Sequence, residues 1–190
     1  MTSDLSDAAL IRDARAGGSS AQRALVERYR ETVYRLARSA TGDPEEAFDI
    51  AQEAFVAAFG ALNRYDPERP FKAWISAITL NKCRDWARRR AVRRFIGLPM
   101  PDHISDWIAD DAPSAETLAA DRAELAATAR AIAELPAKLK DVLILCTVEG
   151  LSQQEAAMTL GISVKAVETR LSRARQKLVG ILRGGPDARV

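Results

Sequence analysis

Apolar residues recur along this chain at three- and four-residue steps, and no run alternates with the period of two that a half-buried strand requires. Leu25, Tyr29, Val33 and Leu36 form one stripe; Ala47, Ile50, Ala51, Ala54, Phe55, Ala58 and Leu62 form a second. The second stripe follows Asp43-Pro44-Glu45-Glu46, which reads as a helix start. Asp43 caps, Pro44 fits the first turn, and the two acids face the positive end of the helix dipole. Residues 63–70 hold two prolines and an Asp-Pro step, so they predict a loop. From Pro70 onward, Phe71, Trp74, Ile75 and Ile78 predict the buried face of another helix, ending in the run Arg88-Arg89-Arg90. Over residues 97–113 four prolines or glycines interrupt the period, which marks a linker. Past Ser114 the pattern resumes with Leu118, Leu125 and Ile132. Pro136 ends that helix and starts the next, with Leu139, Val142, Leu143 and Cys146 inside. The expected fold class is all-α: a helical domain over residues 1–94, a linker over 95–113, a second helical domain over 114–184 and a tail over 185–190.

The sharpest local signal lies between Gly150 and Leu178. Gly150 stops an amphipathic helix, and Ser152-Gln153-Gln154-Glu155 is a capping box. A short helix with Ala156, Ala157 and Leu160 inside ends at Gly161; Ile162 plugs the turn and Ser163 caps the next helix. Helix, glycine turn, helix is the layout of a helix-turn-helix. In its second helix Val164, Val167, Leu171, Ala174 and Leu178 point inward. Lys165, Glu168, Thr169, Ser172, Arg173 and Gln176 point outward, with Arg170, Arg175 and Lys177 on the flanks. In a major groove Arg173 would pair with guanine, Glu168 with cytosine N4 and the flanking arginines with phosphates. An ordinary two-helix hairpin with a basic outer face is the competing reading.

Charge sharpens this picture. The formal net charge of +2 conceals seven basic residues and one acid over 82–94, then six acids with no Lys or Arg over 95–121. Residues 164–183 return to six basic residues against one acid. Two basic segments thus flank an acidic one, and each suits a phosphate backbone. The length of 190 residues accommodates one ordinary domain or two small ones, and 47% hydrophobic with 28% charged residues is a globular composition. The apolar runs 54–62 and 73–80 fall short of the roughly 20 residues of a membrane span. Asp4 and Asp7, with no basic residue among the first ten, give no secretory signal, so a cytoplasmic protein is expected. Cys83 and Cys146 form no CxxC pair, and His103 is the sole histidine, so neither a metal nor another cofactor is expected. No nucleophile–base pair or glycine-rich phosphate loop is visible, and an enzyme is not expected.

The motifs together resemble a family. Leu135-Pro136, Val148-Glu149-Gly150-Leu151-Ser152, Glu155-Ala156-Ala157, Leu160-Gly161-Ile162-Ser163 and Arg170-Leu171-Ser172-Arg173-Ala174-Arg175 resemble region 4 of bacterial extracytoplasmic-function (ECF) sigma factors. Asp49-Ile50-Ala51-Gln52-Glu53-Ala54-Phe55, with Phe71-Lys72-Ala73-Trp74-Ile75, Asn81, Asp85 and Arg88-Arg89-Arg90, resembles region 2. The resemblance covers residues 5–183. It implies a subunit that binds core RNA polymerase, at the clamp of the largest subunit and at the flap, and that recognises two elements of promoter DNA. Asp49, Gln52, Glu53 and Phe55 would contact the clamp, although Phe55 alone suits the core better. Tyr65, Arg69, Phe71 and Lys72 would surround a flipped −10 base, and Asn81 would read a base edge. Lys82, Arg84, Arg88, Arg89 and Arg90 would hold non-template phosphates. Ser152, Lys165, Glu168, Thr169, Arg170, Ser172, Arg173 and Arg175 would meet the −35 element. An anti-sigma factor is the implied regulatory partner. Lys165-Ala166 replaces the Gly-Thr common in the family, and Phe48 stands where an acid is frequent. The nineteen linker residues reach at most about 60–65 Å. That is comparable with the gap between two promoter elements, and either an acidic segment threaded through polymerase or a plain tether fits. A stand-alone helix-turn-helix regulator and an adaptor bundle are the alternatives.

Overall fold

The computed structural model describes residues 5–96 and 127–184. Most of the expected linker, the start of the second helical domain and the C-terminal tail lie outside the described residues. Among the described residues all regular secondary structure is helical. The first half contains α1 (Asp7–Arg15), α2 (Ser19–Thr41), α3 (Pro44–Ala61), a 3-10 turn (Leu62–Arg64) and α4 (Phe71–Phe95). The second half contains α5, described over residues 127–134, then α6 (Ala137–Leu143), which runs into a π-helical turn (Ile144–Val148). Helices α7 (Gln153–Leu160) and α8 (Val164–Leu182) complete it.

The helix ends follow from local chemistry. The Asp43 carboxylate accepts from the N–H groups of Glu45 and Glu46 at 2.9 and 3.1 Å, with Pro44 in the first turn of α3. Ser152 and Glu155 cap α7 reciprocally, and the Ser163 hydroxyl accepts from Ala166 N–H at 3.2 Å to start α8. Gly42 and Gly161 close α2 and α7 at φ of +76° and +64°, a left-handed conformation that a Cβ disfavours. Helix α4 runs on past the Arg88-Arg89-Arg90 run to Phe95. Val164, expected inside, is exposed at the first turn of α8, while Val167, Leu171 and Ala174 are buried as the spacing predicts.

Two apolar clusters form the interior. One gathers Leu10, Leu25, Val33, Phe55, Phe71 and Ile75 beneath α1–α4. The other joins Leu36, Ala37, Ile50, Leu80 and Cys83 from the first half to Leu135, Val142, Leu145, Ala156, Val167 and Leu171 from the second. The two halves therefore share a core instead of standing apart. Helix α4 makes this possible by carrying two apolar edges, Phe71 and Ile75 on one and Leu80 and Cys83 on the other. Polar contacts frame the seam. Arg35 donates to both carboxylate oxygens of Glu149 at 2.8 and 2.9 Å, and Arg84 donates twice to Asp141, once at 2.7 Å. The Lys140 ammonium reaches the carbonyl of Ala40 at 3.3 Å, and Arg69 donates to the carbonyl of Met158. The Glu149 and Asp141 side chains are 0% and 5% exposed, a burial that a carboxylate tolerates only when paired.

Candidate nucleic-acid and polymerase interfaces

Helix α3 buries Ala47, Ile50, Ala51, Ala54, Phe55 and Ala58, so its opposite strip faces solvent. That strip holds Phe48, Asp49, Gln52, Glu53 and Val56, with Phe48 58% and Val56 74% exposed. Asp49, Gln52, Glu53, Val56, Ala57 and Lys82 line an open groove, in which the Lys82 ammonium lies 3.1 Å from Glu53. Two large apolar side chains beside carboxylates suit a protein partner. Phe55 is buried beside Phe59, with ring centroids 6.2 Å apart, as its place in the second apolar stripe predicts; this corrects only its inclusion among the clamp contacts, since it supports the strip from beneath. Phe48 and Val56 belong to the strip although the motif alone does not include them. Their spacing through Gln52, four residues either way, is the signal that places them there.

The loop ahead of α4 is built on an aromatic post. Tyr65 meets Phe71 at 5.6 Å and Trp74 at 5.1 Å between ring centroids, and Tyr29 meets Phe71 at 5.1 Å. The Tyr65 hydroxyl donates to the carbonyl of Arg69, and burial raises its pKa above the usual tyrosine range. Tyr65 and Phe71 are both buried, which corrects the expectation that their ring faces stack on a base. They fix the loop, and Asn63, Arg64, Asp66 and Glu68 project from it. Arg15, from the last turn of α1, holds this loop from outside. It donates to the carbonyl of Leu62 at 3.0 Å and to that of Tyr65, and its guanidinium lies 5.8 Å from the Tyr65 ring centroid. No pattern in the sequence ties Arg15 to residues some fifty positions later, so sequence reasoning could not have found it.

Along α4 the expected DNA-contacting side chains divide. Asn81, Arg88 and Arg89 are exposed, with Arg88 paired to Asp85; Lys72 and Lys82 are half-buried. Arg90 lies over the Trp86 ring at 5.1 Å, a cation–π contact that holds its guanidinium at the surface. Arg69 and Arg84 turn toward the second half instead, and Arg84 also donates to Asn81 Oδ1 at 2.6 Å. Burial raises the Asp141 pKa, against the pull of Arg84, Lys140 and Arg170, and lowers that of Lys140. Burial also pushes the Cys83 thiol up to about 12, so it stays protonated and behaves as an apolar side chain.

Helix α8 presents Lys165, Glu168, Thr169, Ser172, Arg173, Arg175 and Gln176 to solvent, while Arg170 is half-buried. Lys165 and Glu168 pair at 3.4 Å, one turn apart. Ser152 is exposed at the start of α7, its hydroxyl engaged in the capping box. The Glu155 carboxyl sits below its usual pKa because it accepts the Ser152 backbone N–H and then the Ser152 hydroxyl. Among the described residues no group of three His, Cys, Asp or Glu side chains could hold a metal ion, and no helix is long and apolar enough to cross a membrane.

This division matches known proteins. Residues 25–93 match the family model for Sigma-70 region 2, and residues 125–178 match that for Sigma-70, region 4. The RNA polymerase sigma factor CnrH of Cupriavidus metallidurans is 41% identical over 186 residues, covering 96% of this chain and 97% of the relative. The ECF RNA polymerase sigma factor SigD of Mycobacterium tuberculosis is 35% identical over 175 residues, covering 90% and 81% respectively. The chain belongs to the ECF sigma factors of RNA polymerase. The solved structure of CnrH in complex with the cytosolic domain of CnrY superposes with a TM-score of 0.66 at 36% identity, covering 94% of this sigma factor and 97% of that chain. Sigma factor RpoE of Bartonella quintana, solved with the anti-sigma factor NepR, shares the fold at a TM-score of 0.66 and 21% identity. In this sigma factor the α3 strip and α4 fall in region 2, and α7 and α8 fall in region 4. The pairs Arg35–Glu149 and Arg84–Asp141 therefore tie region 2 to region 4. Arg15 precedes the matched part of region 2.

Proposed function

We propose that this ECF sigma factor docks on core RNA polymerase through the outer strip of α3 and reads promoter DNA with two separate surfaces. Asp49, Gln52 and Glu53 supply polar contacts to polymerase, flanked by Phe48 and Val56. The recognition helix α8 enters the major groove of the −35 element, with Arg173 and Glu168 toward base edges and Arg170 and Arg175 toward phosphates. The loop ahead of α4 receives an unstacked −10 base, while Asn81, Arg88, Arg89 and Arg90 follow the non-template strand. Residues 1–94 and 114–184 are the two functional units and 95–113 the tether between them. The protein acts in the cytoplasm, and an anti-sigma factor restrains it, a reading supported by the CnrH likeness, since that relative was solved with CnrY. The observation that carries the proposal is α8: one face is packed on the core through Val167, Leu171 and Ala174, and the other presents Lys165, Thr169, Ser172, Arg173, Arg175 and Gln176 to solvent, with Glu168 as its one acid.

The test begins with core polymerase reconstituted with this chain and a randomised promoter library. Transcripts are expected to start from a selected sequence with two separated elements. Arg173→Ala is expected to weaken −35 duplex binding and spare core association; Gln52→Ala is expected to do the reverse. Retained DNA binding without initiation would instead mark a stand-alone regulator.

A further inference from the structure

We propose that Thr169 selects a thymine in the −35 element through its γ-methyl group, so that this element is read in part by an apolar contact and not by hydrogen bonds alone. The inference rests on, and deepens, the reading above that α8 enters the major groove. Thr169 is exposed on the strip of α8 opposite the buried Val167, Leu171 and Ala174. Its hydroxyl is turned back along the helix and donates to the carbonyl of Lys165 at 2.9 Å. A threonine bonded in this way has its one proton committed within the helix. The hydroxyl keeps only acceptor capacity, so it cannot donate to the acceptor atoms of guanine or thymine. The branch left to meet a ligand is the methyl.

The surroundings favour that use of it. Ala166, half-buried and three residues earlier, lies at the spacing that makes side chains neighbours on a helix, and it adds a second methyl. Helical spacing sets the Lys165–Glu168 pair, 3.4 Å apart, to one side of Thr169 and Arg173 to the other. Ala166 and Thr169 therefore make a small apolar island on a polar strip. Among the base edges of the major groove only thymine carries a methyl, at C5, and a threonine methyl is one of the groups that pack against it. Arg173 follows four residues after Thr169, about 6 Å along the helix. Base pairs are stacked about 3.4 Å apart, so the thymine belongs within about two base pairs of the guanine that Arg173 reads.

The experiment uses holoenzyme reconstituted from core polymerase and the full chain, on the promoter selected from the randomised library. Each thymine of the −35 element is replaced in turn by deoxyuridine, which keeps the base pairing and removes only the C5 methyl. One replacement, within about two base pairs of the guanine whose identity ceases to matter in Arg173→Ala, is expected to weaken binding about fourfold, the effect of losing one buried methyl. Thr169→Ser keeps the hydroxyl and its bond to Lys165 but lacks the methyl; it is expected to bind the thymine and deoxyuridine promoters equally. Thr169→Val keeps the methyl and loses the hydroxyl, and is expected to retain the preference for thymine. The converse pattern, with serine behaving as wild type and valine losing the preference, marks a base read by the hydroxyl and overturns the inference. So does a selected element with no thymine in that window, or a wild type indifferent to every replacement. A holoenzyme whose affinity is unmoved by Arg173→Ala and by every change of −35 sequence overturns instead the placement of α8 in the major groove.

Discussion

Arg15 shows how far a single side chain can act without touching the ligand. Its guanidinium caps the carbonyls of Leu62 and Tyr65, at the end of the 3-10 turn that leads into the base-reading loop. Arg15→Gln is therefore expected to weaken holoenzyme binding of the −10 single strand while leaving −35 duplex binding unchanged. Because Arg15 neutralises no phosphate, the slope of log affinity against log salt should stay at its wild-type value. Arg89→Ala removes an exposed cation assigned to the strand and should lower that slope by about 0.7 to 1. A salt titration of both variants decides the matter; an equal drop in slope for Arg15→Gln would make it a direct DNA contact. Residue roles were legible in the sequence only where the partner is local. Asp43, Ser152 with Glu155, and Ser163 all cap as their spacing predicts, because a cap is satisfied within three residues. Tyr65 was not, since a motif does not reveal which way a loop is turned; Phe55 and Phe71, which helical spacing places on buried faces, pack inside as that spacing predicts.

At the scale of the element, α7 is a short helix whose start depends on one carboxylate. Glu155 accepts the Ser152 backbone N–H at 2.8 Å, and its pKa lies below the usual 4.5. A carboxyl whose folded pKa is depressed contributes stability above its unfolded value and loses it as pH falls through the folded one. The Ser152 amide resonance is therefore expected to titrate below pH 4.5 and its exchange protection to fall with it. Glu155→Gln should abolish that titration; a midpoint at or above 4.5 would remove the capping account. Asp141 runs the other way: burial raises its folded pKa, so its contribution declines as pH rises between the unfolded and folded values. Helices α2 to α8 were legible because helical periodicity is a long-range average over each stripe, whereas the nine-residue α1, with Leu10, Ile11 and Ala14 inside, gave no such stripe. The π-helical turn was not legible either. There Glu149 N–H reaches back five residues to the carbonyl of Ile144 at 3.1 Å. One extra residue in a turn rotates the chain beyond it by about 100°, and Glu149 ends up buried against Arg35.

For the whole molecule, the clamped arrangement was the part the sequence hid, because its ion pairs join positions 57 and 114 residues apart. Only the second apolar edge of α4, Leu80 and Cys83, hinted that another body covers this helix. The Arg35–Glu149 pair gives the arrangement a measurable asymmetry. The Glu149 side chain is fully buried, whereas that of Arg35 is 41% exposed. Arg35→Ala leaves a carboxylate in the seam without its partner, and breaking a buried pair in this way costs about 3–5 kcal/mol. Glu149→Gln leaves a neutral, shape-matched amide and an arginine that water already reaches, so its effect should be clearly smaller. Since Leu36 and Ile50 pack in one cluster with Leu145 and Leu171, both losses should appear in a single cooperative transition. Urea unfolding followed by tryptophan fluorescence, with Trp86 packed on the shared cluster, and by circular dichroism reads both quantities. Equal destabilisation by the two substitutions would mean that the seam gains its strength from the apolar contacts alone. Two separate transitions in the wild type would show that the regions fold independently and that their shared core contributes little.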